Sequence, residues 1–131
     1  NVYIIGMMNT ADRSLAMLDY ALRRRFAFFD IKPGFETPGF REYRMALDNE
    51  KFNKLISCVE NLNRVIAVDE SLGEGFCIGH SYFCNLQPDT INDDWLYSVV
   101  EYELIPLLKE YWFDEPTKVK DWSENLRSAI K

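Results

Sequence analysis

A chain of 131 residues with 47% apolar and 15% aromatic side chains has the length and apolar content for one folded domain with its own core, which excludes a disordered or low-complexity segment. Its formal net charge of −6 argues against a broad nucleic-acid footprint, because phosphate binding needs concentrated positive surface. Cys58, Cys77 and Cys84 form an odd set without a CxxC pair, so reduced thiols of a cytoplasmic protein are expected rather than a disulfide framework or a zinc knuckle.

No apolar run reaches the ~18 residues a membrane-spanning helix requires. Asn1-Val2-Tyr3-Ile4-Ile5 opens in strand-like sequence, with neither an initiator Met nor a basic leader, and reads as the inside of a longer protein. Residues 2–8 (VYIIGMM) are almost wholly apolar, the pattern of a strand buried on both faces. A polar turn follows over 9–14. Leu15, Leu18, Ala21 and Leu22 then recur at helical spacing, predicting a helix over 15–24 with Asp12 or Ser14 as its cap. Arg23, Arg24 and Arg25 stand where the helix dipole favours cations. Residues 26–31 (FAFFDI) read as a second strand, ended by Lys32-Pro33-Gly34.

The character changes near 33–38. A short helix is expected over 39–47. From 50 to 67, Phe52, Leu55, Ile56, Val59, Leu62, Val65 and Ile66 keep a clear 3.6-residue period. Gly73-Glu74-Gly75 breaks it, and Phe76 to Leu86 reads as a loop or a short hairpin. A further helix begins at Asp93, with Thr90 or Asn92 as cap and Trp95, Val99, Val100 and Leu104 facing inward. Pro106 has no N–H to give and must kink or restart it. Residues 117–130 form a last amphipathic helix through Val119, Trp122, Leu126 and Ile130. The layout is a small α/β remnant followed by a helical subdomain.

The residues with chemistry to offer cluster early. Asn9 ends the first apolar run, where α/β proteins place ligand-contacting groups, and its amide can hold a water against a phosphate. A guanidinium one helix later can neutralise charge on a transferring phosphoryl group. The same residues also read as a turn former and a solvated helix terminus. His80 is the one histidine, preceded by Gly79 and followed by Ser81. It reads either as a phosphate or carboxylate partner or as a packed, hydrogen-bonded residue. No second histidine exists to serve as a base, which disfavours serine-hydrolase chemistry at Ser81.

The stretch Met8-Asn9-Thr10-Ala11-Asp12-Arg13-Ser14, a helix, then Ala21-Leu22-Arg23-Arg24-Arg25-Phe26 resembles sensor 1 and the arginine-finger region of an AAA+ module. The MNTADRS wording is similar to the McrB-type GTPase subunits of 5-methylcytosine-specific restriction systems. Ile78-Gly79-His80-Ser81-Tyr82-Phe83 resembles the lid of the same family. The resemblance implies an α+β fragment of an AAA+ module. A strand-helix-strand remnant would fill 1–37 and a mostly α-helical lid 38–131.

Carried over by position, the resemblance makes Asn9 the sensor-1 polar residue, in contact with nucleotide or its attacking water. Asp12 would help place that water or the neighbouring subunit's contacts. The finger would lie among Arg23, Arg24 and Arg25, with Arg24 preferred, and His80 would be a weak nucleotide contact. The family also implies a ring, taken as a hexamer, a nuclease partner of the McrC type, and DNA bound through upstream domains. No GxxxxGK[ST] loop and no acidic pair after an apolar strand occurs here. GTP and Mg²⁺ are therefore expected in the full-length parent and not in this chain, which should be inactive alone. Two other readings stay open: a MoxR-like or dynein-related ATPase, and a helical interaction module without catalytic ancestry. With the central strands missing, residues 2–8 and 26–31 are expected to pair with each other, pair between molecules, or be poorly ordered.

Overall fold

The computed structural model describes residues 1–9 and 20–131. Its order is set by one long central helix. Helix α1 is described over Tyr20–Arg23, and the expected 15–19 portion, with the Asp12 or Ser14 cap, lies outside the described residues. Helix α2 runs Pro38–Leu47, with Pro in its first turn and the Thr37 hydroxyl accepting from the Phe40 amide. It ends at Asp48, whose left-handed φ of 45° turns the chain at once into the next cap. There the Asn49 carboxamide accepts from the Phe52 amide and opens α3, Glu50–Val68.

The 3.6-residue pattern over 50–67 becomes the spine of the core. Phe52, Leu55, Ile56, Val59, Leu62 and Ile66 are all fully buried. Helix α2 adds Phe40 and Leu47 to the same core, and α6, Pro116–Ala129, adds Val119 and Leu126. Fully burying an aliphatic or aromatic side chain of this size is worth about 1.5–3 kcal/mol, so the α3 face dominates the stability of the domain.

Helix α4, Asp93–Ser98, starts at Asn92, whose side chain accepts from the Trp95 amide, so Asn92 rather than Thr90 is the cap. As expected, the α-helix restarts at Pro106, which stands in the first turn of the segment that follows. The backbone widens into a π segment over Val99–Leu104, in which the Ile105 amide reaches back to the Val100 carbonyl, and continues as α5, Ile105–Tyr111. A wider turn leading into the proline eases its two demands, a missing donor and a ring that crowds the preceding turn. Glu101 of that segment takes a two-pronged ion pair from Arg127 of α6, with Nη2 2.8 Å from Oε2. The wide turn is thereby tied to the last helix.

The connection from 69 to 92 is not a hairpin. It forms two short 3₁₀ turns, Glu74–Phe76 and His80–Phe83, held by side chains from helices. The Asn63 carboxamide accepts from the Ile78 amide at 2.7 Å and donates to the Ile78 carbonyl at 2.9 Å. The Tyr43 hydroxyl donates to the Phe83 carbonyl and accepts from the Leu86 amide. A buried loop backbone must find partners, and these two side chains supply them.

At the far end of α3, Asp69 accepts from the Trp112 indole at 2.9 Å and from the Lys118 ammonium at 2.7 Å, and the ammonium sits 4.4 Å from the Trp112 ring centroid. The Lys118 ammonium first, and the indole next, hold the Asp69 carboxyl down to about 2. A depressed folded value contributes stability that is present above the ordinary value near 3.8 and lost as pH falls towards 2. Wild type should therefore exceed Asp69→Asn by about 2 kcal/mol at pH 5, with the gap closing by pH 2. Urea unfolding of both proteins at the two pH values checks this; a gap independent of pH would mean that the carboxylate charge is not what counts.

The expected strand-helix-strand remnant is not formed: among the described residues there is no strand. Residues 2–8 and 26–31 form no ladder with each other, and they are exposed, Ile5 at 94% and Phe29 at 88%. The expected pairing of the two runs with each other is absent. The reason is physical: a two-stranded ribbon is marginal by itself, and a strand meant for burial on both faces needs further strands and covering helices. The helical layer is formed as expected. None of the described helices is long and apolar enough to cross a membrane.

Candidate functional site

The two extended runs approach the helical layer at one place. Met7, Met8 and Asn9 from the first run, Ile31 and Pro33 from the second, and Glu74, Gly75 and Cys77 from the first 3₁₀ turn line a shallow cleft. The turn is set by Gly73, whose φ of +95° suits glycine, and by the Asn63 clamp on Ile78 just beyond it. Lys32 and Glu74 form an ion pair at 3.5 Å across the rim, but both are about three-quarters exposed, so it adds little. Burial, together with the Glu74 carboxylate, pushes the Cys77 thiol above its ordinary value, and its Sγ donates to the Asn63 carbonyl. A thiol held protonated is no nucleophile.

Behind the cleft the chain leaves Pro33 and is fixed at Gly34. The Gly34 amide donates to His80 Nδ1 at 2.9 Å, and the Gly34 carbonyl accepts from both the amide and the hydroxyl of Thr37. The imidazole lies so close over Gly34 that a Cβ there would stand 2.9 Å from its Cε1. Phe35 and Phe40 meet the same ring edge-on, at centroid distances of 6.2 and 5.7 Å. With Nδ1 accepting, the neutral ring carries its proton on Nε2.

Of the residues singled out in the sequence, Asn9 lines the cleft and His80 lies behind it, joined through Gly34. Asp12 lies outside the described residues. Arg23, at the end of α1, places its guanidinium 5.8 Å from the Phe28 ring centroid, and Arg24 and Arg25 are exposed in the turn that follows. None of the three arginines lines the cleft. Its lining carries one carboxylate and one carboxamide, and among the described residues no group of three or more His, Cys, Asp or Glu could hold a metal ion.

Tyr43, Asn63 and Gly34 were not singled out in the sequence. Asn63 left a trace: it falls four residues after Val59 and three before Ile66, on the apolar face of α3, where a polar group must have a buried partner. Gly34 and Tyr43 left none. A second shallow groove, between α3 and α6, is lined by Cys58, Trp122 and several amides and holds none of the expected residues.

Residues 54–120 match the family model described as "McrB, alpha-helical lid domain". That span takes in most of α3, both 3₁₀ turns with His80, the α4–π–α5 helix and the start of α6. The Type IV methyl-directed restriction enzyme EcoKMcrB subunit of Escherichia coli (strain K12) is 49% identical over 134 aligned positions, which cover 96% of this chain. The chain spans 28% of the length of that relative. The helical layer, the matched span and the near-half identity agree, and the chain belongs to the McrB family, with its lid domain at residues 54–120.

Proposed function

We propose that this chain is the sensor-and-lid part of a GTP-hydrolysing AAA+ motor subunit of a modified-cytosine-dependent restriction endonuclease, and that it does not turn over nucleotide alone. The observation that carries the reading is the shared cleft: Asn9, at the end of the MNTADRS-bearing run, and the 74–77 turn of the lid line the same depression. A lid reports nucleotide state only if it meets the segment that touches nucleotide. In this reading the Asn9 carboxamide positions a water or a phosphate oxygen, and Asp12 supports it. One of Arg23, Arg24 and Arg25 serves the site of the adjacent subunit in a ring, taken as a hexamer. The phosphate loop, the acids that hold Mg²⁺ and the DNA-reading domain belong to other parts of the full-length parent. A nuclease subunit of the McrC type performs the cleavage.

The test is steady-state phosphate release from the full-length parent with GTP and ATP side by side, and from this chain as control. GTP-selective turnover by the parent with none by the chain is expected. ATP-selective turnover would move the protein to another AAA+ branch such as the MoxR-like ATPases. Turnover of neither nucleotide would leave a helical interaction module as the reading to pursue.

A further inference from the structure

We infer that His80 is a positioning residue, which clasps the Gly34 amide through Nδ1 and so fixes the lid against the segment that lines the Asn9 cleft. Gly34 directly follows Pro33 of that cleft, and His80 opens the second 3₁₀ turn of the lid, 46 residues away in sequence. Both backbone groups of Gly34 are spoken for: its amide by His80 and its carbonyl by Thr37, the cap of α2. The joint between the extended runs and the helical layer is thereby closed on both sides. Phe35 and Phe40 wall it in, Phe35 being 4% exposed and itself backed by the fully buried ring of Phe83.

A hydrogen bond shielded in this way resists exchange with water, because breaking it leaves an amide donor with no nearby substitute. The absent side chain at position 34 has the same meaning. Its φ is unremarkable, so the glycine is needed for space under the imidazole and not for backbone freedom.

The clasp stands on geometry alone, whereas its consequence for turnover rests on the function proposed above. If lid movement is to reach the nucleotide, it must pass through a joint that does not slip. His80 is then a residue that acts on the reaction through Gly34 without touching nucleotide. Misplacement of a site by an ångström can cost on the order of a hundredfold in rate, so a loosened joint should lower kcat more than it raises KM.

Three substitutions at His80 separate the possible roles. Asn places an acceptor oxygen near the position of Nδ1, Gln places its amide nearer Nε2, and Phe keeps the ring without any acceptor. In the 131-residue chain, Gly34 amide exchange followed by NMR should be slow in wild type and His80→Asn. It should be roughly tenfold faster in His80→Gln and His80→Phe, the loss of one net hydrogen bond. Gly34→Ala, which crowds Cε1, should lower kcat of the full-length parent about tenfold, as His80→Gln does.

In the full-length parent, GTP turnover should be retained in His80→Asn and fall about tenfold in kcat, with KM changed less than about threefold, in His80→Gln and His80→Phe. Rescue by Gln and not by Asn would overturn the inference and make His80 a nucleotide ligand through Nε2. Wild-type behaviour of His80→Phe in both assays would overturn it in favour of ring packing alone. Should the Phe variant not fold, the contrast between Asn and Gln decides. A wild-type parent without turnover would sink the proposed function, while Gly34 exchange would still decide the clasp.

Discussion

Arg24→Ala in the full-length parent should bind GTP with close to wild-type affinity and hydrolyse it roughly 10³–10⁵-fold more slowly, the range for loss of an arginine finger. The three arginines are not equivalent. Arg23 closes α1, and its guanidinium lies over the Phe28 ring, where a cation–π contact and the helix C-terminus already occupy it. Arg24 and Arg25 follow in the turn beyond the helix and are exposed. In the function proposed above a finger must be free to leave its own subunit, and exposure in the turn leaves these two side chains that freedom. None of the three lines the cleft that Asn9 lines.

Single-turnover phosphate release, with nucleotide binding measured separately, checks the prediction. Mixing Arg24→Ala subunits with subunits defective in nucleotide binding should restore part of the activity if the arginine acts across the interface. Full activity in Arg24→Ala with loss in Arg25→Ala or Arg23→Ala moves the finger by one position. Full activity in all three removes the finger from this turn altogether.

The helical half of the chain was legible in the sequence because its information is local. The apolar period of α3 is long and unbroken, and Asn92, one of the two caps expected for α4, accepts from an amide three residues on. The apolar runs at 2–8 and 26–31 misled for the opposite reason. A strand is defined by its neighbours, and an apolar run says only that the segment wants burial. The π turn was missed because a proline signals the loss of a hydrogen bond without saying how the backbone absorbs it.

The site was legible in part. Asn9 stands out as an amide closing an apolar run, and His80 as the single histidine in an aromatic stretch. What His80 does was not legible, since its partner is a backbone amide 46 residues away. A glycine that clears space for a ring looks in sequence like any other glycine. The arginine run could be seen, and Arg24 preferred within it only through the resemblance; the Phe28 contact that sets Arg23 apart from the next two is not written in the sequence.

Phe52→Ala should cost about 3–5 kcal/mol, the usual cost of truncating a buried phenylalanine. Phe52 opens the buried face of α3 and is fully buried. Its ring meets Tyr43 and Phe83 edge-on at 6.3 and 6.4 Å and Trp95 at 6.3 Å in a tilted pair. It therefore joins α2, the second 3₁₀ turn and α4 at one point. Tyr43 holds the backbone around Phe83 and Leu86, so a cavity at Phe52 removes support from the turn that carries His80. The melting temperature should drop by more than about 10 °C. As a control, Tyr102→Ala on the exposed face of the π segment should stay within about 0.5 kcal/mol of wild type. A second readout separates global from local damage. If the aromatic cluster supports the clasp, Phe52→Ala should speed Gly34 amide exchange more than it speeds exchange in α6, which packs on α3 and makes no ring contact with Phe52. Equal acceleration at both places would mean that the domain opens only as a whole and that the joint has no stability of its own.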